Sequence, residues 1–342
     1  MVIQNLKIIG FRNLNEYRVS FCRGKNLIHG VNGAGKTSVL EAVFMLGFGK
    51  SFLNVKKADI VKNGSNRFLL QSEVVDPGGR VNTINAVYEG NFFLQMNDKK
   101  STIFDVNSYL YPLIFSSSNY NLYIESRTYI RKLMDRFIFG VNPLYLHSLL
   151  SYNKALKQKN YLLKTRVNVD EIRSWNKIIG EMSQKITGIK MEFIDSLNEE
   201  IDRKFSIGPR VRYLPSFPAD TDNPGTAFQR LEKIMQSEIM AKRSLIGPHL
   251  DNIEIHSHGK NLKFFSSGEK KINLLMIYIA FIEFFKARKN DYPVFLVDDF
   301  DTAIDAGNIE FLIENCPDMQ VIATSVTESN GFDRLIELKK EN

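Results

Sequence analysis

Over the first hundred residues the apolar positions come in short runs broken by glycine, asparagine and Asp-Pro. "QNLKIIGF", "KNLIHG", "RFLLQSEVV" and "NTINAVYEG" are of this kind and predict β-strands separated by turns. Near Ser126 the pattern lengthens: glycine becomes scarce, and Leu, Ile, Lys and Glu dominate as far as about Asp202. In "LYLHSLLSYNKALKQKNYLLK" the residues Leu144, Leu149, Leu156, Leu162 and Leu163 fall roughly at helical spacing. "EIRSWNKIIGEMSQKITGIKMEFIDSLNEEIDRKF" repeats that pattern, and the short break "RVNVD" joins the two. Two long helices with so short a connection predict an antiparallel helical arm. "GPRVRYLPSFPADTDNPG" then reads as a loop before strand-like patterning returns. No internal repeat or low-complexity tract interrupts this order.

Two late stretches stand apart. "FFSSGEKKINLLMIYIAFIEFF", residues 264–285, is a Ser-Ser-Gly-Glu turn opening an almost wholly apolar helix. "YPVFLVDDFD" is an apolar run from Val294 to Val297 that ends in Asp298-Asp299.

Chemistry enters at residues 30–37. "GVNGAGKT" fits G-x-x-x-x-G-K-[ST] with Gly30, Gly35, Lys36 and Thr37. The apolar Leu27-Ile28 precedes it as a strand, and "SVLEAVFML" follows with Leu40, Val43 and Phe44 at helical spacing. Strand, loop, helix is the arrangement this motif requires. Backbone N–H groups from Gly30 through Val31, Asn32, Gly33, Ala34 and Gly35 to Ser38 would cradle phosphates at the helix N-terminus. Lys36 would supply a point charge to the β- and γ-phosphates of ATP, and Thr37 a ligand for Mg²⁺. The acidic strand completes the set: Asp298 would hold Mg²⁺ through water, and Asp299 would orient or deprotonate the attacking water. About 260 residues separate the two motifs, more than one nucleotide fold fills. The chain is therefore expected to be a discontinuous ATPase domain, residues 1–125 and 241–342, with a helical arm inserted at 126–240.

Composition changes this picture little. The 342 residues are 44% hydrophobic and 24% charged, ordinary for a globular protein. No charge-free apolar run reaches the roughly 18–20 residues of a membrane span; the most apolar window, Ile272 to Phe285, carries Glu283. The N-terminus lacks the basic region and small-residue cleavage site of a signal peptide. With Cys22 and Cys316 alone, a disulfide framework is not expected and a reducing cytoplasm is the default. A net charge of +7 with a pI near 9.1 favours an anionic partner, nucleic acid first and an acidic membrane surface second; a merely solubilising surface is the plain alternative. Lys154, Lys157, Lys159, Lys164 and Arg166 follow one another with no acid between Tyr152 and Val169, which suits contacts to DNA phosphates. Lys56, Lys57 and Lys62 form a weaker candidate near the phosphate loop. No Asn/Gln/Arg recognition helix is apparent, so readout of base sequence is not expected.

The order of these parts resembles a known group. "FSSGEKK" at 265–271 is similar to the L-S-G-G-Q signature of ABC-type ATPases, with Ser266 and Gly268 at its serine and second glycine. "DDFDTAID" resembles an acidic strand followed by a D-loop, with Thr302, Ala303 and Asp305 in the D-loop positions. Phosphate loop, helical insertion, signature, acidic strand and D-loop come in the order of the SMC and Rad50 group. Within it the chain is similar to the RecF family of bacterial recombination mediators. "LKIIGFRNL", "GVNGAGKTSVLEAV", "GKSFLNVKKADIVKNG", "YNKALKQKNYLLK" and "GPHLDNI" match that family's segments in order.

The resemblance implies an α/β fold: an ABC-type P-loop ATPase head of mixed sheet and flanking helices with an inserted arm. It implies a head that dimerises around two ATP molecules, each signature helix meeting nucleotide on the opposite phosphate loop. It implies binding of duplex DNA at single-strand gaps and, with the RecO and RecR proteins, loading of RecA, switched by slow ATP hydrolysis. Arg12 and Asn13 match the family's Phe-Arg-Asn near the phosphates, and Asn32 would help to position water. Three departures accompany the match. Residues 115–120, Phe-Ser-Ser-Ser-Asn-Tyr, replace a Phe-Ser-Pro-Glu-Asp-Leu stretch; Ala303 replaces a D-loop glutamate; Leu250 replaces an arginine after Gly-Pro-His. His249 reads as structural. A transport ATPase subunit uses the same head, but expects a glutamine loop and a short helical subdomain; an SMC-like chromosome-organising head expects far longer arms.

Overall fold

The computed structural model describes residues 1–116, 120–217, 224–300 and 318–340. The chain forms two compact units, Met1–Tyr120 with Ser267–Asn342, and Asn121–Ser266. The crossings lie at 120/121 and 266/267 rather than 125/126 and 240/241. The second shift has a clear cause: the strand pattern after residue 241 belongs to the inserted unit, where it pairs with a strand inside the stretch read as a loop.

The first unit holds two sheets. Strands β1 (Val2–Phe11), β2 (Leu14–Ser20), β4 (Phe68–Val75), β5 (Val81–Glu89), β6 (Asn91–Met96) and β7 (Lys99–Ser101) form an antiparallel sheet in the order β2-β1-β4-β5-β6-β7. Its strands alternate as one-sided burial demands: in β4, Phe68, Leu70, Ser72 and Val74 are buried and their neighbours half-buried. Strands β3 (Lys25–His29), β8 (Pro112–Ser116), β12 (Val294–Asp298), β13 (Val321–Ser325) and β14 (Arg334–Glu337) form a parallel sheet, β14-β3-β13-β12-β8. Here β8, β12 and β13 are buried at every residue, the continuous apolar signature of a strand covered on both faces.

Helix α1 (Lys36–Phe48) packs against β8, β12 and β13 on one side and β1, β4 and β5 on the other. That place between two sheets explains its lack of a polar face; Val39, Leu40, Val43 and Phe44 are all wholly buried. α2 (Ile103–Asn107) opens with a capping box in which Thr102 and Asp105 bond reciprocally. α8 (Ser267–Lys289) is the apolar helix of the sequence, and its Tyr278 hydroxyl donates to the Ile114 carbonyl of β8 at 2.9 Å. Because every strand of the second sheet runs the same way, His29, Ser116, Asp298 and Ser325 all end at one edge. That carboxyl edge is where open α/β sheets bind ligands.

The inserted unit contains α4 (Arg127–Val141), α5 (Leu144–Thr165), α6 (Val169–Lys204) and α7 (Pro224–Ala241), after the short α3 (Tyr120–Glu125) at its border. α5 and α6 are the two expected arm helices, and Asn168 caps α6 through bonds from the Asp170 and Glu171 amides. β9 (Arg210–Leu214), β10 (Asn252–Ser257) and β11 (Lys260–Asn261) form a three-stranded antiparallel sheet. "RVRYL" is thus a strand, not a loop: five residues of period two gain their register only from β10, far along the chain.

Candidate ATP site at the carboxyl edge of the parallel sheet

The phosphate loop leaves β3 and enters α1. Gly30 and Gly35 have φ of +153° and +108°, and neither has room for a side chain. A Cβ on Gly30 would lie 2.3 Å from the Leu338 carbonyl oxygen, and one on Gly35 would lie 2.7 Å from the Leu14 side chain. Gly35 caps α1 without a side-chain hydrogen bond, and the first turn carries no acid. The first amides of α1 therefore keep their donors for an external anion. Lys36 is 6% exposed and folds back over the loop, its Nζ donating to the Gly30 carbonyl at 2.6 Å and the Val31 carbonyl at 3.2 Å. Val31, Asn32 and Gly33 are exposed at the crest, and Ala34 is buried beneath it.

Asn13 braces the loop from β1–β2. Its Nδ2 donates to the Gly33 carbonyl at 2.9 Å, and its Oδ1 accepts from the Ser38 hydroxyl at 3.0 Å. Arg12, in the left-handed region at φ +55°, makes a two-pronged ion pair with Glu41 at 2.7 Å for both bonds. Glu41 lies on the buried face of α1 and also accepts from the Ser51 hydroxyl. The guanidinium fork that the family resemblance places at the phosphates is thus engaged with α1. Arg12, Asn13 and Ser38 line one wall of a cleft of about 580 Å³, whose other wall is Asp59, Val61, Lys62 and Asn63. Of the three lysines read as a weaker basic patch, Lys62 donates to the Asn13 carbonyl at 3.2 Å and Lys57 sits 4.5 Å above the Phe92 ring.

Across the same edge, Asp298 ends β12 at 3% exposure. Its Oδ1 accepts from the Thr37 hydroxyl at 2.9 Å and the Thr324 hydroxyl at 3.0 Å, and its Oδ2 accepts from Ser116 at 3.4 Å. Motifs more than 260 positions apart are therefore one hydrogen bond apart in space. Asp299 turns out of the strand at φ +51°, and its amide donates to the same Thr324 hydroxyl at 2.9 Å. Burial raises the Asp298 carboxyl above the usual carboxylate range; the neighbouring Asp299 pushes it further, and the three hydroxyl bonds oppose the rise. Among the described residues no cation is paired with it. A buried carboxylate held only by hydroxyls, on all-oxygen surroundings, fits a hard divalent ion such as Mg²⁺. No group of three or more His, Cys, Asp or Glu gathers among the described residues.

Ser266 and Gly268 are exposed at the start of α8, where Cβ on Gly268 would meet open space. Behind them Ser267 and Tyr120 share a hydroxyl–hydroxyl bond of 2.7 Å. Thr302, Ala303 and Asp305, with the departures at Ser118 and Asn119 and with Cys316, lie outside the described residues. Leu250 is 41% exposed. His249 lies against the Tyr152 hydroxyl at 2.5 Å inside the inserted unit.

The basic candidates divide. Lys154, Lys157 and Lys164 are exposed on α5. Lys159 is not available: it is wholly buried in an ion pair with Glu238 of α7 at 2.6 Å. Five residues beyond Lys154 is about 140° around a helix, the opposite face. Arg166 follows the last residue of α5 and bonds Glu171 at 3.0 Å. Thr324 is a site residue without a motif, and Ser116 and Glu41 lie in stretches matched to the family without a role assigned to them. Thr324 reaches Asp298 only through sheet register, β13 lying between β3 and β12.

The model of the RecF/RecN/SMC N-terminal domain matches residues 2–341. The DNA replication and repair protein RecF of Acetivibrio thermocellus is 30% identical over 343 residues, covering 95% of this chain and 93% of that protein. That of Carboxydothermus hydrogenoformans is 27% identical over 350 residues, covering 98% of each. A solved structure of the recombination mediator protein RecF in the RecFOR pathway, with ATPrS, superposes at a TM-score of 0.90 and 23% identity over 99% of this chain and 96% of that one. The Smc head of Pyrococcus furiosus shares the fold more distantly, at a TM-score of 0.53 and 17% identity over 95% of this chain and 89% of that one. Family model and relatives both span almost the whole chain, and the chain belongs to the RecF family of ABC-type P-loop ATPases.

Proposed function

We propose that this chain is an ATP-switched recombination mediator that binds duplex DNA at single-strand gaps and helps, with RecO and RecR, to load RecA. One observation carries the switch: the Thr37 hydroxyl and the buried Asp298 carboxylate meet at 2.9 Å beside an uncapped helix N-terminus. Bound ATP with Mg²⁺ would supply the cation that Asp298 lacks and the anion that α1 awaits. Lys36 would exchange the Gly30 and Val31 carbonyls for phosphate oxygens, and Thr37 would turn its hydroxyl from Asp298 to the metal. Asp299 would hold the attacking water and take its proton, with Asn32 orienting that water from the loop crest. The cleft beside Arg12 and Asn13 would take the nucleoside.

Ser266 and Gly268, exposed at the N-terminus of α8, would complete the site of a second copy. Such a composite site makes dimerisation depend on ATP and hydrolysis release it. DNA affinity is supported by the +7 charge and by Lys154, Lys157 and Lys164 along one face of α5. Electrophoretic shift of a gapped duplex at moderate salt tests the whole reading. A shift that strengthens with ATP is expected, and a shift indifferent to ATP contradicts it. Ser266→Arg should bind ATP as a monomer in sedimentation, and ATP-dependent dimers of that variant would remove the composite site.

A further inference from the structure

Arg12 and Glu41 meet in the wall of the cleft beside the phosphate loop, and their geometry leaves part of the arginine over. The Nε of Arg12 donates to Glu41 Oε2 and its Nη2 to Oε1, each at 2.7 Å. These two bonds occupy the side edge of the guanidinium. The group carries five N–H bonds, so three remain, two on Nη1 and one on Nη2. They form a second fork at the end of the group, a shape that grips two phosphate oxygens. Among the described residues nothing bonds to that end fork. Arg12 lines the cleft with its side chain 24% exposed.

The surroundings hold this arrangement still. The Glu41 side chain is wholly buried, and its Oε1 also accepts from the Ser51 hydroxyl. The Leu53 amide donates to Ser51 Oγ at 2.9 Å, which leaves the hydroxyl proton for Glu41. On the other side the backbone of Arg12 is pinned in its left-handed turn. Its amide donates to the Ile60 carbonyl at 2.7 Å, and the Lys62 amide donates to the Gly10 carbonyl at 2.9 Å. Arg12 cannot leave Glu41 to meet a ligand without stranding a buried carboxylate. What it can offer is the edge that Glu41 does not use.

We infer that Glu41, fixed by Ser51, is a positioning residue for the nucleotide: by clamping the side edge of Arg12 it aims the end fork at the phosphate chain. The inference deepens the ATP reading and rests on it. Glu41 itself touches no ligand and acts through Arg12 alone. Lysine would not serve in place of Arg12, since one ammonium cannot present two planar forks at once.

Titration calorimetry of the full-length chain with ATP and Mg²⁺, beside urea unfolding of each variant, tests this. Arg12→Lys keeps a cation against Glu41, so it should unfold near the parent yet bind ATP about tenfold more weakly, the loss of a charge-assisted hydrogen bond. Glu41→Gln should weaken ATP binding about fivefold, because its amide NH₂ faces one arm of the guanidinium and opens the clamp. Arg12→Ala should lose both ATP affinity and stability. Adding Glu41→Gln to Arg12→Ala should recover the stability but not the affinity, and should cost no further affinity. Affinity recovered together with stability in the double variant would reduce the pair to a structural role and overturn the inference. Parent-like ATP binding by Glu41→Gln would overturn it as well. ATP binding that Lys36→Met leaves unchanged would instead overturn the ATP reading beneath it.

Discussion

Among the described residues two aspartates are buried, one in each unit, and they differ in what faces them. Asp251, in the inserted unit, is enclosed by a complete set of partners. Lys190 lies 3.5 Å from its Oδ2, the Tyr213 hydroxyl donates to that oxygen at 2.5 Å, and the Ser216 amide donates to Oδ1 at 3.0 Å. Lys190 is shared with Asp135 at 3.3 Å, which in turn accepts from the Tyr145 hydroxyl at 2.6 Å. Asp298, in the head, has hydroxyls and, among the described residues, no cation. Burial raises both carboxyls, but at Asp251 a buried ammonium leads the opposition, while at Asp298 only hydroxyl bonds oppose it. A buried acid with its counter-charge supplied reads as structure; one without a protein counter-charge is a candidate binding site.

Substitution should separate the two. Asp251→Ala removes one member of a buried network and strands Tyr213, the Ser216 amide and part of the charge of Lys190. Its expected cost is about 3–5 kcal/mol of stability, seen as early unfolding of the inserted unit in urea, with nucleotide binding by the remaining folded protein intact. Loss of ATP binding without loss of stability would invert the comparison.

The neighbouring His249 sharpens it through pH. Burial, helped by Arg131 and Lys159, holds its imidazole down to about 4 from 6.5. The neutral ring is thus favoured in the folded state, and its contribution is complete above pH 6.5. Between pH 6.5 and 4 the unfolded chain binds the proton first, so stability falls as pH falls, by roughly 3 kcal/mol in all. His249→Gln should flatten that limb of the stability curve; an unchanged slope would place the proton elsewhere.

In the head, Thr324 spends one hydroxyl on both acids, donating to Asp298 and accepting from the Asp299 amide. Thr324→Val is expected to reduce ATP turnover by about 10–100-fold, as for other groups that orient metal ligands, with little change in the ATP concentration at half-maximal rate. Thr324→Ser should restore most of it. A rise in that half-maximal concentration alone would show that the residue acts on binding instead.

Much of the head is legible in the sequence because its chemistry is local. Strand, loop and helix around Lys36 are contiguous, and the acidic strand announces itself by four apolar residues and two carboxylates. The order of motifs also pointed to an inserted arm. What escaped were contacts fixed by register between distant segments. Thr324 and Ser116 reach Asp298 only because β13 and β8 flank β12; nothing in "VIATS" marks Thr324, and the stretch that holds Ser116 does not tie it to Asp298. The arm shows the complementary failure. Lys154, Lys157, Lys159 and Lys164 look alike in sequence, but helical phase sends Lys159 inward to Glu238, a partner nearly eighty positions away. The basic run gave the composition of a surface without saying which members reach it.

The comparison comes down to whether Asp298 awaits a cation. Thermal unfolding of the parent chain and of Asp298→Asn, each with ATP and with or without Mg²⁺, tests this directly. For the parent, Mg²⁺ should raise the midpoint beyond what ATP alone achieves; for Asp298→Asn, ATP should still stabilise and Mg²⁺ should add nothing. An undiminished Mg²⁺ increment in Asp298→Asn would contradict the account.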